Sequence, residues 1–101
     1  MPRLIISEQA RLNVAEMTGF LIEADAVKQA IKVAKLLNQG FAKVALLPNM
    51  GKSVESDLSD NIRQYNIGYG KAGYSFIYHH DDIQDTVTIL AVKHWRQKNY
   101  H

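Results

Sequence analysis

The stretch IRQYNIGYGKAGYSFIYHH, residues 62–80, decides the fold because it predicts two β-strands joined by a short turn. Large apolar or aromatic residues alternate along its first half, at Tyr65, Ile67 and Tyr69, as in a strand with one buried face. A glycine-rich segment, residues 68–73, follows, and a second aromatic-rich run comes after it. Glycine supplies positive φ readily, so the segment predicts a β-hairpin.

The same turn spells G-x-G-x-x-G at Gly68, Gly70 and Gly73, the pattern of many dinucleotide-binding sites. That fingerprint requires a helix directly after the glycines, since the helix N-terminus faces the pyrophosphate. Here a strand follows instead, beginning at Tyr74. We therefore interpret the glycines as hairpin residues and reject nucleotide binding.

A third strand is predicted downstream, and two amphipathic helices after a short strand upstream. Residues 86–95 are β-branched and apolar, and residues 4–6 form a short apolar run. Ser7 can cap the first helix, over residues 8–22, and Asp25 is a plausible cap for the second, which Pro48 ends. The expected inner faces are Ala10, Val14, Met17 and Leu21 in the first helix, and Val27, Ile31, Ala34 and then Leu37 or Phe41 in the second.

The predicted order is β-α-α-β-β-β, an α+β fold in which an antiparallel sheet packs on an N-terminal helical hairpin. A polar stretch reaching Asp60 separates the second helix from the later strands. The 101 residues match one ordinary domain, and 47% hydrophobic residues suffice for a core, so we expect a single domain over residues 1–101.

Composition narrows the class of protein. The chain has no cysteine, which excludes disulfides, zinc–thiolate sites and thiol nucleophiles and fits a reducing compartment. No apolar run approaches the roughly 20 residues that span a bilayer, and the apolar part of the N-terminus is too short for a signal peptide. We therefore expect a cytoplasmic protein with no membrane segment.

The stretch VKHWRQKNY, residues 92–100, holds three cations and no acid in a chain of net charge +2. His94 can act as acid or base near neutral pH, and Tyr100 can donate a proton or stack on a base. Trp95 offers a stacking face or caps the core, while Arg96 and Lys93 suit phosphate. Singly, each residue is more often structural; together they predict a surface for nucleic acid or an acidic protein.

Other candidate ligand-binding residues lie outside this cluster. Arg63 opens the second strand and is either solvated or salt-bridged, or contacts phosphate through its planar guanidinium. Lys52 and Lys71 lie in loops, where lysines are usually just solvated. In the His79-His80-Asp81-Asp82 run, neighbouring strand residues point to opposite faces, so both histidines cannot easily bind one ion, and we expect no metal.

Three segments together resemble the bacterial RelE/ParE toxin superfamily, over nearly the whole chain. They are VALLPNMGKSVE, IRQYNIGYGKAGYSFIYHHDD and VTILAVKHWRQKNY. Members show a helix ending near a proline and a G-[KR] pair, a strand beginning near an arginine, a G-Y-x-x-x-Y strand and a last strand ending V-x-H-x-R before a tyrosine. The matching residues are Leu46, Leu47, Pro48, Gly51, Lys52, Arg63, Gly73, Tyr74, Tyr78, His94, Arg96 and Tyr100.

The resemblance implies the toxin of a type II toxin–antitoxin module, as in plasmid stabilisation systems, held inactive in a hetero-oligomer by a small antitoxin. RelE-like members cleave messenger RNA in the ribosome without a metal, whereas ParE-like members inhibit DNA gyrase and are not nucleases. Neither branch implies a cofactor. In a nuclease, His94 or Tyr100 would be the acid or base, and Arg63 and Arg96 would hold the phosphate.

The sequence departs from the RelE pattern. The residue after Gly73-Tyr74 is commonly arginine, but here it is Ser75, and Gln64 and Asn66 stand where strand lysines are expected. Cations that would stabilise a pentavalent phosphate are therefore missing. We favour a gyrase-directed, ParE-like growth inhibitor; the alternatives are a ribosome-dependent endoribonuclease and an inactive binding module.

One geometric expectation underlies this interpretation: the four catalytic candidates should lie together on one accessible patch. These candidates are Arg63, His94, Arg96 and Tyr100. The residues expected to contact phosphate or a partner are Lys52, Lys71, Lys93, Trp95 and Lys98.

Overall fold

A computed structural model describes residues 2–54 and 61–100. The elements follow the order β1 (Arg3–Ile6), α1 (Glu8–Glu23), α2 (Val27–Leu46), β2 (Lys52–Ser53), β3 (Ile62–Tyr69), β4 (Ala72–Asp81) and β5 (Thr86–His94). The predicted α+β class, with a helical hairpin before the main strands, is confirmed. Residues 55–60 of the predicted polar stretch lie outside the described residues.

The sheet has five strands in the order β1-β5-β4-β3-β2. It is mixed rather than wholly antiparallel as predicted, because β1 runs parallel to β5 while the other pairs are antiparallel. Parallel neighbours need a long connection, and both helices and three strands lie between these two. Strand β2 was not predicted, since two residues are too few to show a period.

The start of α1 is fixed by Ser7, as predicted. Its Oγ accepts a hydrogen bond from the Ala10 N–H at 3.1 Å and donates one to the Leu90 carbonyl at 3.0 Å. The cap therefore also ties the helix to β5. Ala10 is fully buried, and Val14, Met17 and Leu21 pack against the core, so the predicted inner face of α1 is confirmed.

The start of α2 differs from the prediction. Asp25 does not cap the helix: it lies in the turn between the helices with a φ of 62°, a left-handed conformation that aspartate tolerates. Ala26 takes the cap position, and no described side chain caps it. The Ala26 N–H is satisfied within the turn by the Leu21 carbonyl at 2.8 Å.

The inner face of α2 was predicted correctly only in its second half. Val27 and Ile31, expected inside, are 48% and 53% exposed. The helix carries apolar residues on more than one side, so two stripes fitted the helical period equally well. The buried side chains are Ala30, Val33, Leu37, Phe41, Val44 and Ala45.

The core lies between the two helices and the sheet. Phe41 packs edge-on against Phe76 with ring centroids 4.8 Å apart. Gly40 permits this approach, since a Cβ there would lie 2.8 Å from the Ile67 side chain and 3.1 Å from Phe76. No helix among the described residues is both long and apolar enough to cross a membrane.

Candidate functional site

One face of the sheet packs against the helices, and the opposite face does not. Along β3, Tyr65 and Ile67 point to the helices and pack on the core. Because side chains alternate along a strand, Gln64 and Asn66 point to the opposite side, which we call the open face. Ser75, paired with Asn66 across β3 and β4, shares that face.

A chain of hydrogen bonds crosses the open face through five uncharged side chains, which we call the neutral network. The Trp95 indole N–H donates to Ser75 Oγ at 3.0 Å, and that hydroxyl donates to Asn66 Oδ1 at 2.6 Å. Gln64 Nε2 donates to the same Asn66 oxygen at 3.0 Å. The Tyr100 hydroxyl completes the chain by donating to Gln64 Oε1 at 2.8 Å. Ser75, which stands where arginine is common, is thus bonded on both sides within this network.

Glycines form the floor on which Trp95 lies. Gly68 and Gly73 are cross-strand partners, and a Cβ built on Gly73 would come within 2.5 Å of the indole ring. Any side chain at Gly73 would therefore displace Trp95. Of the hairpin glycines, Gly70 adopts a positive φ, 62°, at the tip, as the hairpin prediction requires.

The chain turns tightly as it leaves β5. The His94 N–H donates to the Gln97 side-chain oxygen at 2.9 Å, and the Gln97 N–H donates to the His94 carbonyl at 2.9 Å. Lys93 Nζ donates to the Gln97 carbonyl at 3.3 Å and lies 5.2 Å from the centroid of the Tyr100 ring. This cation–π contact and the Gln64 bond hold Tyr100 on the open face. Burial raises the pKa of Tyr100 to about 12.

His94 and Arg96 belong to a different surface. The His94 ring stands edge-on to Tyr74, with centroids 5.1 Å apart, on the helix side of the sheet, and its Nδ1 accepts from the Arg96 N–H at 3.0 Å. Burial, and to a lesser degree the Arg96 charge, lowers the pKa of His94. Both residues line a groove of about 500 Å³ beside α1, where Met17 and Phe20 supply apolar wall.

Arg63 is engaged in holding the loop after α2. Its Nη1 donates to the Gly51 carbonyl at 2.8 Å and to the Asn49 carbonyl at 3.4 Å. Tyr78, its cross-strand partner, holds the same loop, since its hydroxyl donates to the Pro48 carbonyl at 2.7 Å and accepts the Gly51 N–H at 3.0 Å.

The four catalytic candidates therefore do not lie on one patch, and that geometric expectation was wrong. Arg63 pairs with Tyr78 and His94 with Tyr74, four residues apart along β4, or about 13 Å at the usual rise of about 3.3 Å per residue. Tyr100 lies on the other face. His94 and Trp95 are adjacent in the chain, and strand alternation separates them.

The predicted partner-binding residues divide in a similar way. Lys52 and Lys93 pair with Gln64 and Ser75 respectively, which places both lysines on the open face that also carries Trp95. Lys71 lies exposed at the hairpin tip, and Lys98 is exposed near the C-terminus.

Sequence reasoning noted Gln64, Asn66 and Ser75 only as missing cations, and it missed Gln97. The spacing of Gln64 and Asn66 could have indicated this arrangement. Because they alternate with Tyr65 and Ile67, they share the face of β3 that points away from the core.

The acidic run that begins at the end of β4 closes a turn. Asp81 Oδ1 accepts the N–H groups of Ile83 and Gln84 at 2.9 and 3.1 Å, and His80 contacts Asp82 at 3.2 Å. Within residues 2–54 and 61–100, no three His, Asp or Glu side chains are grouped so as to hold a metal ion.

A helical hairpin packed on a mixed five-stranded sheet is the fold of RelE/ParE-like toxins. The chain is similar to a structure of the RelBE2 toxin–antitoxin complex from Mycobacterium tuberculosis, with a TM-score of 0.64 and 21% identity over 93% of this chain and 99% of that one. It is also similar to the intact Escherichia coli RelBE toxin–antitoxin complex, with a TM-score of 0.56 and 17% identity over 91% and 94%.

Within that class, the model of the ParE toxin family of type II toxin–antitoxin systems, parDE, matches residues 4–99. The chain therefore belongs to the ParE toxin family. No curated protein matches its sequence significantly.

Proposed function

We propose that this protein inhibits bacterial growth by acting on DNA gyrase in the cytoplasm, and that it does not cleave messenger RNA. The observation that carries the proposal is the neutral network. It occupies the open face at the positions where the RelE pattern calls for cations.

Attack by a ribose 2′-hydroxyl needs positive charge around the developing pentavalent phosphate and an acid or base matched to neutral pH. At the position of the expected arginine, the Ser75 side chain is 3% exposed and bonded on both sides. Tyr100, with its pKa raised to about 12, stays protonated and donates to Gln64. His94 lies on the other face, so it cannot work with Tyr100 on one phosphate. These features favour the ParE-like activity over the nuclease.

We further propose that a cognate antitoxin neutralises the protein. The two structures named above are of toxin–antitoxin complexes. The acid-free end of this chain, residues 92–100, would attract an acidic antitoxin tail. Such binding should weaken as salt screens the charges.

Induced expression in bacteria, paired with a supercoiling assay on purified gyrase, tests the proposal. We expect growth arrest, filamentation with DNA-damage signalling, intact messenger RNA and inhibited supercoiling. Co-expression of the cognate antitoxin should restore growth. Messenger RNA cut at ribosomal A-sites would overturn the proposal in favour of the nuclease. Unaffected colonies would identify an inactive binding module.

A further inference from the structure

The C-terminal segment, residues 95–100, is held on the open face at both ends. Trp95 is fixed at one end by its bond to Ser75 and by the glycine floor. Tyr100 is fixed at the other end by its bond to Gln64. Although no helix or strand of the described chain includes this segment, the two anchors and the turn between them give it a defined shape.

Between the anchors, the segment presents basic side chains to solvent. Lys98 is exposed, and Arg96, which is also exposed, lines the groove beside α1. No acidic residue occurs from Thr86 to Tyr100. Trp95 is itself 45% exposed, although its other side lies on the glycines. Arginine and an aromatic surface are both enriched at protein interfaces. With two exposed cations and no acid, the segment as a whole is complementary in charge to an acidic protein surface.

We propose that residues 95–100 form a recognition segment that binds an acidic surface of the toxin's protein target, and that Ser75 is the positioning residue that keeps the segment in its binding shape. This inference rests on the proposed function, since it requires a protein target. A segment ordered beforehand loses less conformational entropy on binding, and so binds more tightly. Ser75 is almost fully buried, so it acts on a partner through the groups bonded to it: Trp95 directly, and Tyr100 through Asn66 and Gln64.

A protein surface fits this segment better than single-stranded nucleic acid does. Nonspecific binding of single strands relies on aromatic faces on which successive bases stack. One side of Trp95 lies against Gly73, and the Tyr100 ring has Lys93 over it. The segment therefore lacks a row of free aromatic faces, and its exposed charges remain available for carboxylates.

The first experiment measures the positioning directly. Ser75→Ala removes the hydroxyl that accepts from Trp95 and donates to Asn66. Hydrogen exchange at residues 96–100 and trypsin cleavage after Arg96 should both rise by about fivefold, as expected for loss of one or two hydrogen bonds. Ser75→Thr keeps a hydroxyl and should restore the slow rates. Unchanged exchange and cleavage in a folded Ser75→Ala protein would overturn the inference.

The second experiment measures binding through the toxin's effect. In the supercoiling assay, Ser75→Ala should raise the half-inhibitory concentration by about fivefold, and Ser75→Thr should return it towards the wild-type value. The Arg96→Gln, Lys98→Gln double variant should raise it by about tenfold at low salt, with a smaller difference at high salt. Lys28→Gln, on the outer face of α2, is the matched control for removing an exposed charge. The inducer level needed for growth arrest should rank the variants in the same order.

The outcomes separate this inference from the proposed function. A wild-type protein that arrests no growth ends the proposed function, and the inference with it. If the wild type arrests growth and the Ser75→Ala and charge variants arrest it equally well, only the inference is overturned. It is also overturned if the variants lose antitoxin binding while their toxicity is unchanged, because the segment would then serve the antitoxin.

Discussion

Removing the Tyr78 hydroxyl tests how the loop after α2 is held. The side chain is fully buried, and its hydroxyl bridges two backbone groups, the Pro48 carbonyl and the buried Gly51 N–H. Tyr78→Phe keeps the ring, so packing against Phe76 persists, but both hydrogen bonds are lost. Each contributes about 1 kcal/mol net, and an unsatisfied buried N–H costs about 1–3 kcal/mol. We therefore expect the variant to lose about 2–3 kcal/mol of unfolding free energy.

Urea denaturation followed by circular dichroism measures this loss. The midpoint should fall while the slope m stays constant, since the surface exposed on unfolding is unchanged. Tyr69→Phe is the matched control, because no described group makes a hydrogen bond to the Tyr69 hydroxyl. Arg63 holds the same Gly51 residue through its carbonyl at 2.8 Å, so the effects of Tyr78→Phe and Arg63→Met should be coupled by about 0.5 kcal/mol or more. Surface changes without consequence usually alter the free energy of unfolding by less than about 0.5 kcal/mol. A loss as small as that for Tyr78→Phe would refute this account of the loop.

Three further predictions concern other parts of the structure. Gly40→Ala should destabilise the protein by about 1–3 kcal/mol through overpacking, since its Cβ would lie 2.8 Å from a β3 side chain. Gly19→Ala should instead stabilise α1 by up to about 1 kcal/mol, because a Cβ there would have nothing within 4 Å. Thermal melts of the two variants will measure both changes. Asn13→Ala should cost about 1–3 kcal/mol in urea titrations because it leaves a buried β5 N–H, now 3.0 Å from Asn13 Oδ1, without its acceptor. Because the folded-state pKa of Tyr100 is raised from 10.0 to about 12, its contribution to the free energy of unfolding should be complete below pH 10 and lost as pH rises towards 12. The Tyr100→Phe variant should therefore lose less stability over that pH range than the wild type. An equal loss in both proteins would contradict the raised pKa of Tyr100.

Most helices and strands could be predicted from the sequence because the residues that begin, end or orient them lie within those elements or beside them. Ser7 caps α1, Pro48 follows α2 within two residues, and the alternation of Tyr65 and Ile67 gave the buried face of β3. The errors arose where tertiary contacts decide. Nothing near Asp25 in sequence shows that the turn will draw it into a left-handed conformation. Likewise, the choice between two apolar stripes of α2 depends on the sheet, which the helix's own sequence does not describe.

The prediction that the four catalytic candidates share one patch was wrong for a related reason. Residues near one another at the end of a strand were expected to act together, but a strand sends successive side chains to opposite faces. His94 consequently joins the groove beside α1, while Trp95 covers the glycines on the open face. The tail beyond β5 has no period from which its path could be predicted. Its return to Gln64 depends on a hydrogen bond across 36 positions of sequence and on the contact between Lys93 and the Tyr100 ring.

The positions of the open-face lysines bear on the choice of activity. Lys52 lies on β2 and Lys93 on β5, and the strand order places three strand spacings between them. At about 4.8 Å per spacing, their backbones are at least about 14 Å apart. Lys93 Nζ is also bonded to the Gln97 carbonyl at 3.3 Å. A pentavalent phosphate requires positive charge concentrated at one point. The two lysines do not provide it, because they lie far apart with the five uncharged side chains of the neutral network between them. They do provide two distant contacts on a broad surface, which is the arrangement that a protein partner can use.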